Sequence, residues 1–103
     1  MKYYLAMTLC NKQEIADRII NKLLEEHLVS GSHLSKVHSK YWWNNNLDEE
    51  DEFKLEFRTR EDKIEKIREE IEKIHDYDLA EISFIELEYL TDEFKKWIDE
   101  NIE

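Results

Sequence analysis

Apolar residues recur along this chain with two different periods, and the switches between them mark the elements. Tyr3 to Leu9 is dense in aromatic and aliphatic side chains, as in a central strand buried on both faces or nearly so. From Asn11 the period lengthens. Ile15, Ile19 and Leu23, with Ala16, Ile20 and Leu24, form one stripe at helical spacing over about residues 12 to 27, and Asn11 with Glu14 reads as the cap. The only glycine, Gly31, stands where the chain must turn back, and Ser32 to Trp43 then reads as a long strand with weak alternation. Asn44-Asn45-Asn46 supplies side chains that tolerate left-handed backbone, so Asn44 to Asp48 is expected to reverse the chain. Phe53, Leu55 and Phe57 alternate with Lys54, Glu56 and Arg58 as the returning strand, Glu52 to Thr59.

Thr59 with Asp62 three residues on resembles a capping box, so this strand should hand over directly to a helix. In that helix Ile64, Ile67, Ile71 and Ile74 recur at spacings of 3, 4 and 3 among charged residues. After a short link from Asp76 to Ala80, Glu81 to Glu88 alternates as a strand, and Thr91 caps a last helix carrying Phe94, Trp97 and Ile98. The order β-α-β-β-α-β-α predicts an α+β fold: a ferredoxin-like βαββαβ sandwich with a long β2-β3 hairpin and an added C-terminal helix, residues 1–103 forming a single domain.

Size changes this picture. A domain of ~100 residues has a radius of gyration near 13 Å and so a diameter of roughly 30 to 35 Å. About twelve residues from Ser32 to Trp43 would reach ~40 Å at ~3.3 Å per residue. The hairpin therefore overhangs, with Tyr41, Trp42 and Trp43 at its far end. Each can bury about 150 to 250 Å², and such residues on an unpaired edge invite association. Identical copies are expected to cover them, most simply in a closed ring.

Charge narrows the partners. Twenty-six acids against 15 bases give a net charge of −11, which repels phosphate backbones and anionic lipid surfaces, so neither nucleic acid nor membrane is expected. A basic protein partner would suit it. The single Cys excludes an internal disulfide and any zinc site of several thiolates. The opening apolar stretch is too short for a membrane span and lacks a cleavage pattern, so the expected location is cytoplasmic.

Several residues in this frame resemble the CutA family, named for divalent cation tolerance. Tyr41-Trp42-Trp43 fits a Tyr-x-Trp motif, followed by the acidic turn, Glu52, and Arg58-Thr59 where Lys-Thr is usual. His75-Asp76-Tyr77-Asp78-Leu79-Ala80-Glu81-Ile82 resembles a His-Pro-Tyr-Glu-x-Pro-Glu-Ile segment, with both prolines replaced, and Trp97 sits where a Trp is common. Gly31 and Cys10 also depart from the pattern. The resemblance implies a homotrimer that binds or signals, linked to a divalent cation such as copper.

It also implies that Tyr41, Trp43, Arg58, His75, Tyr77 and Glu81 gather at a cleft between subunits, with the aromatic, cationic and carboxylate groups of a small-ligand pocket. The alternative is an interface core in which Arg58 and Glu81 pair. For a metal, the candidates are His75, Cys10 and His33; His33 and His38 are five apart on one strand and so face opposite ways. Asp48 to Glu52 reads as a solvated turn before an interface or a cation site. No catalytic motif is present, so no enzyme is expected; the alternatives are proton transfer by His75 and Glu81 in the cleft, or an adaptor trimer.

Overall fold

In the computed structural model, which describes residues 1–103, the elements follow the order β1 (Tyr3–Cys10), α1 (Gln13–Glu25), β2 (Gly31–Trp43), β3 (Asn46–Arg60), a 3-10 turn (Glu61–Lys63), α2 (Ile64–Ile74), β4 (Ile82–Glu86) and α3 (Asp92–Asn101). The strands form one sheet in the order β2-β3-β1-β4, with every neighbouring pair antiparallel. This is the ferredoxin-like arrangement, with α3 added. No helix is long and apolar enough to cross a membrane.

The period-2 pattern sorts the sheet into two faces. Ala6, Thr8 and Cys10 of β1 lie opposite Phe57, Leu55 and Phe53 of β3, and this set meets the stripes Ile15, Ala16, Ile19, Leu23 of α1 and Ile67, Ile71 of α2. Phe57, Leu55, Ile19, Leu23, Ile67 and Ile71 are completely buried there. The intervening residues Tyr3, Leu5, Met7 and Leu9 are only half-buried. The expectation that β1 is buried on both faces thus holds on one. Two helices cover one face, while α3 reaches only an end of the other: Asp99 takes hydrogen bonds from Tyr3 Oη (2.9 Å) and Arg60 Nη1 (3.2 Å).

Three local expectations are replaced by other solutions to the same hydrogen-bonding problem. Asn11 does not cap α1; the capping position is Lys12, and the Asn11 amide reaches toward Glu50 Oε2 at 3.5 Å. Thr59 does not cap α2 either. It is fully buried, and its hydroxyl donates to the Leu28 carbonyl at 2.8 Å, satisfying an acceptor in the α1–β2 connection that water does not reach. Gly31 is not the left-handed residue of its turn. His27 is, with φ 54°, closing a Schellman pair in which Leu28 N–H donates to Leu23 O and His27 N–H to Leu24 O. What Gly31 supplies is room, since a Cβ there would stand 3.3 Å from the Trp97 ring. Thr91 does cap α3, its Oγ1 accepting from Phe94 N–H at 3.2 Å.

The β2-β3 hairpin overhangs as its length predicts. The molecule measures 45 × 26 × 22 Å with a radius of gyration of 14.4 Å. Asn44 and Asn45 both adopt positive φ, 50° and 64°, the two-residue turn whose twist suits a hairpin. So tight a turn returns Asn46 to the ladder at once, and the acidic run is not loop: Asp48 to Glu52 are strand residues facing Tyr41, Lys40, Ser39, His38 and Val37 in turn.

Candidate functional site

The α2–β4 link crosses the end of β1 and touches the base of the hairpin, where its side chains replace the missing prolines with hydrogen bonds. His75 Nε2 donates to the Leu9 carbonyl at 2.7 Å, which fixes the tautomer, and its Nδ1 accepts from Tyr77 N–H at 3.2 Å. The ring is 2% exposed and lies 4.7 Å from the Tyr77 ring. Tyr77 Oη donates to Glu52 Oε2 at 2.7 Å and stands 3.1 Å from Glu50 Oε1. Burial, then the Glu52 carboxylate, pushes the Tyr77 phenol far above its ordinary range, so it is a permanent donor. Asp76 is tied to Lys12 at 2.6 Å, and that ammonium holds the Asp76 carboxyl below its usual range.

Above this knot lies a hollow of about 300 Å³ walled by Tyr41, Trp43 and Tyr77, with Glu50, Asp76 and Asp78 around it. A second hollow beside it adds Glu81 to Tyr41 and Tyr77. Burial and the Glu50 carboxylate both raise the Tyr41 phenol. Glu81 accepts from Ser83 Oγ at 2.6 Å. One chain therefore brings Tyr41, Trp43, Tyr77 and Glu81 together, with His75 beneath them as a bonded support. Arg58 is elsewhere. It pairs with Gly31 while Tyr41 pairs with Asp48, so about ten ladder positions, roughly 33 Å, separate the two ends.

The metal candidates do not meet within one chain. Cys10 is completely buried in the core, where burial raises its thiol above the ordinary range. His33 is exposed in the Arg58 region. Both nitrogens of His75 are engaged. No group of three or more His, Cys, Asp or Glu side chains is arranged to hold a metal ion. The donor set of a single chain does not fit a resident divalent cation.

Sequence reasoning missed two arrangements. His38 sits between carboxylates, Nδ1 2.7 Å from Asp51 Oδ1 and Nε2 2.9 Å from Glu49 Oε2, and their hydrogen bonds raise its pKa. The Glu50–Tyr77–Glu52 junction is the other. Hairpin register carries the first signal, since His38 faces Asp51 once Asn44-Asn45 is taken as the whole turn. No local pattern carries the second, because it joins segments 25 residues apart.

Residues 4–101 match the family described as CutA1 divalent ion tolerance protein. The chain belongs to that family. It is 31% identical over 87 residues to the divalent-cation tolerance protein CutA of Pyrococcus horikoshii, covering 84% of this chain and 85% of that protein. With the corresponding protein of Archaeoglobus fulgidus it shares 33% over 90 residues, 87% of this chain and 88% of the other. The structure of the Archaeoglobus CutA, described as periplasmic, superposes with a TM-score of 0.94 at 30% identity, over 98% of this chain and 99% of that one. CutA1 from Oryza sativa, at 18% identity, shares the fold with a TM-score of 0.93 over 100% of this chain and 95% of its own. This CutA domain thus keeps the family fold while closing the His75–Ile82 segment without proline.

Proposed function

We propose that this CutA-family protein acts as a homotrimeric binding or signalling protein, with a small ligand or divalent ion such as copper held in a cleft between copies. One observation carries the reading: the sheet ends in two unpaired strands, β2 and β4, on opposite sides, and large apolar side chains stand exposed along both. Trp42 is 73% exposed and Trp43 38% on the β2 side, and Ile85 of β4 is 51% exposed. Edges of this kind template further pairing. Unlike edges pairing head to tail generate a ring when the rotation closes, and we infer three copies.

In such a ring the Tyr41–Trp43–Tyr77–Glu81 wall of one copy faces its neighbour. Arg58 joins that wall only if another copy delivers it. Since one chain's donors do not compose a metal site, the divalent-ion part of the proposal requires ligands from two copies. The engaged nitrogens of His75 leave it no free lone pair for proton transfer, which supports binding over catalysis. The net charge of −11 favours, as a second reading, an adaptor trimer that docks a basic partner. We place the protein in the cytoplasm on its lone, buried Cys10; cell fractionation checks this against the periplasmic description of the Archaeoglobus relative.

Sedimentation velocity tests the assembly, with a stable trimer at micromolar concentration as the expected result and a compact monomer as the overturning one. Calorimetric titration of the same sample with copper tests the ion. Affinity weaker than ~1 mM, only ~4 kcal/mol, removes the metal from the proposal.

A further inference from the structure

The aromatic hollow at the hairpin base carries more negative charge than the chain balances there. Its lining holds three carboxylates, Glu50, Asp76 and Asp78, and no Lys, Arg or His. Asp76 is already paired with Lys12. In the adjoining hollow Glu52 and Glu81 stand with Lys40 and His38, but Lys40 lies against Glu49, and His38 between Glu49 and Asp51. Glu50, Glu52, Asp78 and Glu81 are left without an ion pair. Unpaired carboxylates are ordinary on the surface of a chain with 26 acids, where water solvates them. Glu52 is different: it is 7% exposed, and its hydrogen-bond donor, Tyr77 Oη, is neutral. A carboxylate taken out of water without a cation is costly, so a cation brought to this place relieves a penalty that the single chain carries.

The walls decide which kind of cation. Tyr41, Trp43 and Tyr77 line the hollow together with Leu79, and aromatic faces attract a cation through the ring quadrupole. A compact metal ion gains little from such faces and needs several converging donors; no such group exists here. An anion would meet the carboxylates, and a neutral molecule would leave them unmatched. A small alkylated ammonium ion suits both features. Its carbon groups pack on the rings, while its spread charge faces the carboxylates without a fixed coordination shell. The volume of about 300 Å³ lies at the small end of ligand sites.

We propose that Tyr41, Trp43 and Tyr77, with Glu50, Glu52 and Asp78, bind a small alkylated ammonium ion. The inference rests on the ligand-cleft reading above and names the class of ligand. Only Tyr41 and Trp43 of these residues come from the β2 edge; Glu50 and Glu52 belong to β3, and Tyr77 and Asp78 to the α2–β4 link. A copy pairing along β2 uses backbone groups in the plane of the sheet, whereas the Tyr41 and Trp43 side chains project from that plane. The neighbour then walls the cleft from one side and leaves the aromatic face to the ligand.

Calorimetric titration of the whole protein with tetramethylammonium chloride tests it, against tert-butanol as an uncharged molecule of similar shape, at constant ionic strength and with tryptophan fluorescence as a second readout. Tetramethylammonium is expected to bind, and tert-butanol to bind at least about tenfold more weakly. Glu50→Gln combined with Asp78→Asn keeps both side-chain shapes and should weaken tetramethylammonium by at least about tenfold, with a smaller effect on tert-butanol. Trp43→Leu should weaken it as well, with circular dichroism and sedimentation checking the fold and assembly of each variant. Absence of both heat and fluorescence change at about 50 mM tetramethylammonium overturns the site. So does tert-butanol binding as tightly, equal affinity in the Glu50 and Asp78 variant, or a crystal structure in which a Lys or Arg of a second copy fills the hollow. Sedimentation and copper titration of the same samples separate this inference from the reading beneath it. A trimer that binds copper but not tetramethylammonium keeps the cleft and sinks the ammonium ion, whereas a monomer that binds tetramethylammonium keeps the site and sinks the trimer.

Discussion

The helix-covered half of the sheet and the overhanging half of the hairpin are built from the same alternating pattern, yet they finish in opposite ways. Along β3, Leu55, Phe57 and Thr59 disappear completely beneath α1 and α2. Near the turn on the partner strand, Trp42 and Trp43 have no helix above them and keep 73% and 38% of their surface. Hydrogen bonding does not distinguish the two regions, since the β2-β3 ladder runs unbroken from Gly31–Arg58 to Trp43–Asn46. Pairing fixes where a strand goes, while burial depends on what else the chain supplies to cover it. Here it supplies helices for one half only.

The sharpest break in that comparison is a matched pair of truncations. Phe57→Ala removes a completely buried ring and should cost about 3 to 5 kcal/mol, a large fraction of the stability of a domain this size. Trp42→Ala removes a larger side chain from a site that one chain does not cover, and within that chain should cost under about 0.5 kcal/mol. Urea denaturation at protein concentrations low enough to dissociate any assembly measures both. Equal losses would mean that the hairpin end is as fully packed as the core.

Next in size is the junction where the two regions meet. Tyr77→Phe keeps the ring and deletes the hydroxyl, leaving Glu52, only 7% exposed, without its 2.7 Å donor. Hydrogen bonds to charged groups contribute about 1.5 to 3 kcal/mol, so a loss of about 2 kcal/mol is expected. Because the phenol stays protonated throughout the ordinary range, the loss should not vary between neutral pH and pH 9. The same denaturation series checks both statements, and a strongly pH-dependent loss would contradict the assigned donor.

The limits of the sequence follow the same boundary. Strands, helices and their order were legible because each writes its own period, and so was the overhang, because strand length and domain size are both simple functions of residue number. The Tyr-x-Trp and His75–Ile82 segments placed the chain near its family. Thr59 misled because a Thr before an acidic turn looks like a cap, whereas the deciding fact was a buried Leu28 carbonyl 31 residues earlier in the chain. His75 likewise reads as a free donor until Leu9 O and Tyr77 N–H occupy both nitrogens. The resemblance groups Arg58 with Tyr41 at a cleft between copies; within one chain the ladder sets them at opposite ends of the hairpin.

The smallest expected effect belongs to the exposed hairpin itself. His38 is held between Asp51 and Glu49, and Lys40 lies 3.7 Å from the same Glu49. Its neighbours Lys36, Asn11, Glu52 and Phe53 share the adjoining hollow, so the net local charge is negative and the imidazolium is favoured. The folded-state pKa is raised above the ordinary value of about 6.5. A raised value means that the folded hairpin binds the proton more tightly than the unfolded chain. The stabilisation is therefore complete below about pH 6.5 and disappears as pH rises through the higher folded value. His38→Gln should flatten the pH dependence of stability between pH 6 and pH 9 relative to the wild type, and 0.5 M salt should shrink the difference further, because the pair is exposed to solvent and screened. An unchanged slope in the variant would mean that the two carboxylates hold His38 in place without coupling its proton to folding.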